Sequence, residues 1–286
     1  MPGIDVRAVG RRADPFVRTW TDTDALLYAL GVGAGQADPL SELEFTTENS
    51  EGISQQVIPS FAIPLAQTGL AKQLPFGDYP RGALVHAEQA LEVHQALPAS
   101  GAIEIAAHIA GIYDKGSGAL VRIETTSVDA ASRQPLVTTR LGYFIRGAGG
   151  FGGPAAPGET WSVPEGPPDQ QLVSETRPDQ ALLYRLSGDR NPLHSDPKFA
   201  AAAGFRRPIL HGLCTFGIVT RQLLQACCGG DPARFGAMSA RFTKPVYPGD
   251  ALTTSLWVMP DGLRFRTTTQ RGDVVLDRGS FVNRFV

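Results

Sequence analysis

An internal repeat constrains the fold of this chain more than any other feature. The run ALLYAL at residues 25–30 returns as ALLYRL at residues 181–186. Each copy follows Asp and Thr residues that can cap a helix, and Gly follows each copy, as is common at helix ends. A second pair of matching segments, at 97–103 and 247–252, leads in each half into alternating residues typical of a strand. The sequence therefore predicts one fold that is used twice.

The two halves share a predicted order of elements. A short capped helix precedes a strongly apolar segment, at 57–72 in the first half and 209–228 in the second, and several alternating runs follow. Because each apolar segment is apolar on nearly all sides, we expect an antiparallel sheet to wrap it in an α+β arrangement. Pro59, Pro64 and Gly69 interrupt the segment of the first half, which predicts a broken helix with a gap beside it.

A Gly- and Pro-rich stretch separates the halves. Residues 147–170 are half Gly and Pro, which is the composition of a linker. We therefore expect an N-terminal unit at 1–150, a linker at 151–170 and a C-terminal unit at 171–286. A chain of 286 residues is long enough for two such units, each able to bury a core.

Composition excludes several classes of partner and compartment. The net charge of -2 and the absence of a dense basic stripe argue against nucleic-acid binding. No apolar run reaches the roughly 18 residues of a membrane span, and the N-terminus lacks the pattern of a secretory signal. The three cysteines form no spaced pairs, which is typical of a reducing compartment. We therefore expect a cytoplasmic protein that binds neither nucleic acid nor membranes.

A polar turn follows the second copy of the repeat. It places Asp189, Asn191 and His194 within six positions, around Gly188 and Pro192. Asp and Asn alone are ordinary turn residues, but an acid, an amide and an imidazole together indicate acid–base chemistry. The corresponding segment of the first half, 31–40, does not repeat this spacing of Asp, Asn and His, and its glycines are misplaced for a dinucleotide-binding loop. We therefore expect the chemistry in the second half alone.

The turn and its surroundings carry a resemblance to a known family. Residues 184–200 and 208–213 resemble the motif of the type 2 enoyl-CoA hydratases, which are MaoC-like dehydratases. Residues 84–89, 114–118 and 147–153 are similar to the double hot-dog members of this family, including the hydratase unit of peroxisomal multifunctional enzymes. The resemblance implies two tandem hot dogs, each a long helix wrapped by an antiparallel sheet. It also implies a homodimer that reversibly hydrates trans-2-enoyl-CoA to (3R)-3-hydroxyacyl-CoA, with the coenzyme A thioester as substrate and no separate cofactor.

The resemblance also implies roles for individual residues. Asp189 and His194 would be the catalytic pair, Asn191 would orient the site, and the backbone N–H of Gly212 would face the thioester oxygen. Glu48, with Glu51 as its competitor, matches an acidic residue of the eukaryotic members. The positions that match acyl-CoA contacts are His86, Ala87, Lys115 and Phe242. As alternatives, Lys115 would be a solvated turn residue and Phe242 a core residue.

Two other functions and one other chemistry are compatible with parts of this pattern. A non-catalytic acyl-CoA-binding protein would keep the binding site without the acid–base pair. A hot-dog thioesterase would use one carboxylate to direct water at the thioester carbon. Metal-dependent chemistry is not expected, because His194 and His211 lie far apart in sequence and lack a third ligand at a recognised spacing. We further expect the gap beside the broken helix to hold a long apolar substrate tail.

Overall fold

The structure, a computed structural model, describes residues 3–157 and 161–284. The elements of the first half are β1 (Gly3–Ile4), β2 (Phe16–Trp20), α1 (Asp22–Gly31), α2 (Leu43–Thr46), α3 (Ala62–Gln67), α4 (Leu70–Gln73), β3 (Gly77–Asp78), β4 (Leu84–Val93), β5 (Gly101–Asp114), β6 (Gly118–Asp129) and β7 (Pro135–Arg146). The elements of the second half are β8 (Gln170–Glu175), α5 (Gln180–Tyr184), α6 (Pro197–Ala202), α7 (Gly212–Cys228), β9 (Phe235–Phe242), β10 (Ala251–Met259), β11 (Gly262–Thr269) and β12 (Val274–Asn283).

Ten of the strands form one antiparallel sheet, in the order β2-β5-β6-β7-β4-β9-β12-β11-β10-β8. The order in the first half mirrors that in the second, as a repeated fold requires. The halves join where β4 pairs with β9, from Glu88 opposite Arg241 to Glu92 opposite Ala237. Strands β1 and β3 form a separate two-stranded sheet.

The central helices of the two halves differ as the sequence predicts. In the second half, α7 runs unbroken for 17 residues, and most of its side chains are buried. In the first half, the corresponding segment is divided into a 3-10 turn at 59–61, α3 and α4. Gly69 has a φ of 89°, a left-handed conformation that ends α3 and begins α4 at a new angle. The break leaves Thr68 and Gly69 exposed.

The two copies of the repeat pack against each other. The rings of Tyr28 and Tyr184 lie 5.9 Å apart between centroids. A Cβ atom on Gly31 would lie 3.3 Å from the Tyr184 Cα, so the absence of a side chain allows this approach. The side chain of Gln180 donates a hydrogen bond to the carbonyl oxygen of Gly31, at 2.6 Å. The C-terminus of α1 is therefore held by residues of the second half.

The main hydrophobic core includes residues from both halves, with α7 and the 3-10 turn at 59–61 inside the curved sheet. This arrangement confirms the predicted α+β class. Among the described residues, no helix has the length and apolar character needed to cross a bilayer.

Candidate active site

The polar turn is built by two short helical segments that end and begin close together. Helix α5 continues as a 3-10 turn at 185–187 and ends at Gly188, whose φ is 127°. A second 3-10 turn begins at Pro192 and ends at His194. Asn191 connects the two: its N–H donates to the carboxylate of Asp189 at 3.0 Å, and its Oδ1 accepts from the N–H of Leu193 at 3.1 Å. The Asn191 side chain therefore caps the second turn, and its orienting role in the site stays a prediction.

The structure brings Asp189, His194 and His211 together. One carboxylate oxygen of Asp189 and one ring nitrogen of each histidine all lie within 4.8 Å of one another. The two imidazole rings are stacked, with centroids 3.7 Å apart and an interplanar angle of 28°. Asp189 is exposed, whereas His194 and His211 are 8% and 1% exposed. The acid therefore faces solvent beside two buried imidazoles.

Although His194 and His211 lie far apart in sequence, the loop folds back on the start of α7 and brings their rings together. Asp189 supplies the third group that the sequence spacing did not reveal. The lone pair of an imidazole nitrogen lies in the ring plane, so two nearly parallel stacked rings direct their lone pairs side by side rather than at one ion. The arrangement therefore favours proton transfer over binding of a metal by all three groups.

Backbone carbonyl groups fix the tautomers of both histidines. The Nδ1 atom of His194 lies 2.9 Å from the carbonyl oxygen of Ile209, and Nε2 of His211 lies 3.1 Å from that of Asp189. Because a carbonyl can only accept, each of these nitrogens carries the proton. In the neutral form, Nε2 of His194 is therefore an unprotonated base. Nδ1 of His211 is buried without a hydrogen-bond partner in the described part of the chain.

Burial keeps these imidazoles neutral. Desolvation lowers the pKa of His194, against the opposing effects of its hydrogen bond to Ile209 and of the Asp189 charge. Desolvation and the neighbouring His194 ring lower the pKa of His211. The result is a neutral base at ordinary pH, which acid–base catalysis requires.

Side chains of the first half lie beside Phe242, which borders the start of α7. Desolvation lowers the pKa of His86, on β4, to about 4, while the nearby Asp189 charge opposes this shift. The His86 ring lies 5.1 Å from that of Phe242, on β9, and 5.6 Å from that of Tyr143, on β7. Asp189 also influences the pKa of Tyr143. Both halves therefore contribute side chains around Asp189.

Gly212 is the first residue of α7, as the sequence predicts. The N–H groups of a first helical turn have no intrahelical partner, and the helix dipole is positive there. A Cβ atom on Gly212 would lie 3.2 Å from the Phe242 ring. The backbone N–H of Gly212 and the Phe242 side chain are therefore neighbours at this end of α7.

The other predicted residues lie on strand β4, on a turn and in a loop. Ala87 forms a bulge in β4 between His86 and Glu88. Lys115 is exposed on the turn between β5 and β6. Glu48 is exposed in the loop after α2, and within the described ranges no hydrogen bond or ion pair connects it to the Asp189 cluster. Glu51, its competitor, is also exposed.

Three aromatic residues that the structure places near Asp189 had no role predicted from sequence: Tyr143, Tyr184 and His211. Tyr184 is 2% exposed and lies 4.9 Å from the ring of His211. His211 lies in the motif segment at 208–213, and Tyr184 lies in the repeat, so sequence patterns contain both. Tyr143 had no local signal, because it reaches the site only through the pairing of β7 with β4.

Comparisons with known proteins agree with this geometry. The MaoC-like domain matches residues 159–278, and the MFE-2 hydratase 2 N-terminal domain matches residues 19–147. The chain is 45% identical over 289 residues to 3-hydroxyacyl-thioester dehydratase Y of Mycobacterium tuberculosis, covering 97% of each chain. It is 41% identical to peroxisomal multifunctional enzyme type 2 of Mus musculus, covering 95% of this chain and 37% of that protein.

A solved structure extends the similarity to three dimensions. The MaoC-like dehydratase of Phytophthora capsici superposes with a TM-score of 0.86 at 31% identity, covering 99% of this chain and 98% of the other. The two tandem units with their wrapped helices are therefore a double hot-dog fold. On sequence and structure together, the chain belongs to the MaoC-like dehydratases, in the group that also carries the N-terminal domain of MFE-2 hydratase 2.

Proposed function

We propose that this protein catalyses the reversible hydration of trans-2-enoyl-CoA to (3R)-3-hydroxyacyl-CoA. The observation that carries the proposal is the meeting of Asp189 and His194, whose carboxylate oxygen and ring nitrogen lie within 4.8 Å beside the first turn of α7. A base and an acid at one end of a helix suit the addition of water to an unsaturated thioester. The names of the relatives, which are hydratases and dehydratases, support the same reaction.

The pair accepts a proton from water and donates a proton to the substrate. Water loses a proton to the pair as its oxygen bonds to Cβ, and the pair returns a proton to Cα, so the reaction balances without a redox cofactor. The unprotonated Nε2 of neutral His194 and the carboxylate of Asp189 can both accept from the water. Positioned acid–base groups of this kind typically accelerate a reaction by about 10²–10⁴-fold.

The start of α7 supplies the remaining requirement. Negative charge develops on the thioester oxygen as water attacks, and the N–H of Gly212, in the first turn of α7, would donate to it. One such donor contributes about 3–4 kcal/mol to transition-state stabilisation in measured enzymes. A side chain at position 212 would crowd the Phe242 ring, since a Cβ there would lie 3.2 Å from it.

The first half would bind the acyl-CoA. The break between α3 and α4 lies against the catalytic loop, since a Cβ on Gly188 would lie 3.3 Å from Thr68 Oγ1. We place the apolar tail of the substrate beside this break. His86, Ala87 and Phe242 would contact the acyl-CoA near the reacting atoms. Lys115, on its exposed turn, would contact the coenzyme A portion, and the role proposed for Glu48 rests on the family match alone.

An assay with crotonyl-CoA and a long-chain trans-2-enoyl-CoA tests the proposal. We expect the enoyl absorbance to fall without release of free coenzyme A, and chiral analysis to give the (3R) alcohol. Release of free coenzyme A would instead identify a thioesterase. Saturable binding with neither reaction would identify a non-catalytic binding protein. Either of these results would overturn the proposed hydration.

The proposal extends to the cofactor, the assembly and the compartment. We infer that the enzyme needs no cofactor and no metal, so dialysis against a chelator should leave the rate unchanged. We also infer a cytoplasmic homodimer. The free thiols of Cys214, Cys227 and Cys228 are consistent with a reducing compartment. Light scattering of the purified protein would measure the assembly, and a monomer would contradict it.

A further inference from the structure

His211 touches both members of the catalytic pair. Its Nε2 donates to the backbone carbonyl of Asp189 at 3.1 Å, and its ring stacks on that of His194 at 3.7 Å. Within the described ranges, this is the one hydrogen bond that reaches a backbone atom of Asp189. The main chain of an exposed catalytic residue is therefore attached to α7 through a single buried side chain.

We propose that His211 is a positioning residue that holds Asp189 and His194 in the geometry needed for hydration. The inference rests on the proposed function, in which His211 has no role so far. The hydrogen bond fixes where the Asp189 backbone lies. The stacked face fixes the plane of the His194 ring, whose Nδ1 is fixed separately by Ile209. Together these contacts leave the carboxylate and Nε2 of His194 little freedom to separate.

Aromatic packing from the first half supports His211 in turn. Its ring lies 4.9 Å from that of Tyr184, which lies 5.9 Å from that of Tyr28. The hydroxyl of Tyr28 donates to Ser60 Oγ at 2.9 Å, within the core of the first half. The position of His211 is therefore set by contacts that cross from one repeat to the other.

The surroundings of His211 favour its neutral form, which the positioning role requires. The groups that act on it are Asp189, which favours the charged imidazole, and His194 and Arg185, which disfavour it. Burial adds to the disfavouring side and outweighs Asp189. A neutral ring with its proton on Nε2 can donate to Asp189 and still stack on His194 without charge repulsion.

Two substitutions separate the two contacts. His211→Phe keeps a flat ring but removes the donor, whereas His211→Gln keeps an N–H near the position of Nε2 but removes the ring. His94→Gln is the matched control. The His94 ring also makes one hydrogen bond through Nε2, in this case to Thr138 Oγ1 at 2.8 Å, and it lies outside the site. We expect His211→Phe to lower kcat for crotonyl-CoA by about 10- to 100-fold with KM within about threefold, because a small displacement of a reacting group has effects of this size. His211→Gln should recover to within about tenfold of the parent, and His94→Gln should match it.

An NMR titration of ring-labelled histidine, without substrate, provides a second readout. Loss of the stacked ring in His211→Gln should admit water to one face of His194 and raise its pKa towards the ordinary 6.5. Because this measurement needs no turnover, it decides the positioning role even if the parent protein fails to hydrate enoyl-CoA. Parent kcat and parent His194 pKa in both variants would overturn the inference. So would a loss of activity that equals the loss of folded protein while the pKa of His194 stays unchanged.

Discussion

At the scale of single residues, the site depends on two neutral imidazoles beside one exposed carboxylate. The carbonyl oxygens of Ile209 and Asp189 select which nitrogen of each ring carries the proton. Burial then lowers the pKa of both rings, so the unprotonated nitrogen of His194 remains a base below the pH at which a solvated histidine would be protonated.

Substitution of either member of the pair should remove most of the activity. We expect Asp189→Asn and His194→Gln each to lower kcat by about 10²-fold or more, the range for a lost acid–base group. Asp189 is exposed, so the melting temperature of Asp189→Asn should stay close to that of the parent. Steady-state hydration of crotonyl-CoA measures the effect. Turnover near the parent rate in either variant would contradict the assigned mechanism.

Acid should weaken the fold through His86. Its pKa is about 4 in the folded protein and about 6.5 in an unfolded chain, so the unfolded state takes up a proton first. Its contribution to stability is therefore complete above pH 6.5 and is lost as the pH falls towards 4. Between pH 7.5 and pH 5 this one residue should reduce the free energy of unfolding by about 2 kcal/mol. Urea titrations at the two pH values should show a smaller difference for His86→Gln than for the parent.

At the scale of elements, the two central helices have diverged in the directions that their tasks require. Helix α7 is unbroken, so its first turn presents free N–H groups at the catalytic loop. The segment of the first half is broken at Thr68 and Gly69, and the break faces that same loop. One repeat thus places a helix end beside the catalytic loop, and the other places a helix break against the same loop.

A larger side chain at the break should discriminate between substrates by length. We expect Thr68→Phe to raise KM for a long-chain enoyl-CoA by about tenfold or more while crotonyl-CoA changes little, because a blocked pocket excludes the apolar contacts of the tail. Ala62 is unsuitable for this test, since it is fully buried in the core and a large residue there would overpack it. Thr68→Ser is the control. Equal changes in KM for both substrates would contradict the proposal that the substrate tail lies beside this break.

At the scale of the whole molecule, the two halves share one sheet and one main hydrophobic core. Glu88 of β4 accepts hydrogen bonds from Arg122 of the first half and Arg241 of the second. On the helical side, Arg221 of α7 pairs with Glu42 at 2.7 Å, with both side chains less than 20% exposed. Arg221 also donates to the carbonyl of Val32 at the end of α1. Catalytic geometry therefore depends on the integrity of both repeats.

Removal of the carboxylate at position 42 should destabilise the entire protein. Glu42→Ala leaves Arg221 largely buried without its partner, an effect of about 3–5 kcal/mol in comparable buried pairs. We expect one cooperative urea transition at a lower midpoint, because the pair joins the halves. Glu104→Ala, which removes an exposed pair with Arg133, should leave the midpoint unchanged. Separate transitions for the two halves would contradict this expectation.

The sequence by itself determined the features that depend on neighbouring residues. The repeated ALLY run, the prolines and glycine that break the first central segment, and the Asp189–His194 turn are all local patterns, because capping, φ restriction and periodicity act over a few residues. The start of α7 at Gly212 also followed from sequence. These patterns were sufficient for the α+β fold and for the proposal that Asp189 and His194 act as a pair.

Only the tertiary structure decided which distant residues complete the site. His211 lies 17 positions after His194, yet their rings stack, and His86 and Tyr143 of the other repeat lie close enough for the Asp189 charge to affect their pKa values. No local sequence pattern predicts these contacts, because they depend on the pairing of β4 with β9 and on the packing of Tyr28 against Tyr184. Long-range contacts of this kind are set by how the whole apolar core closes, and so they became visible only in the folded molecule.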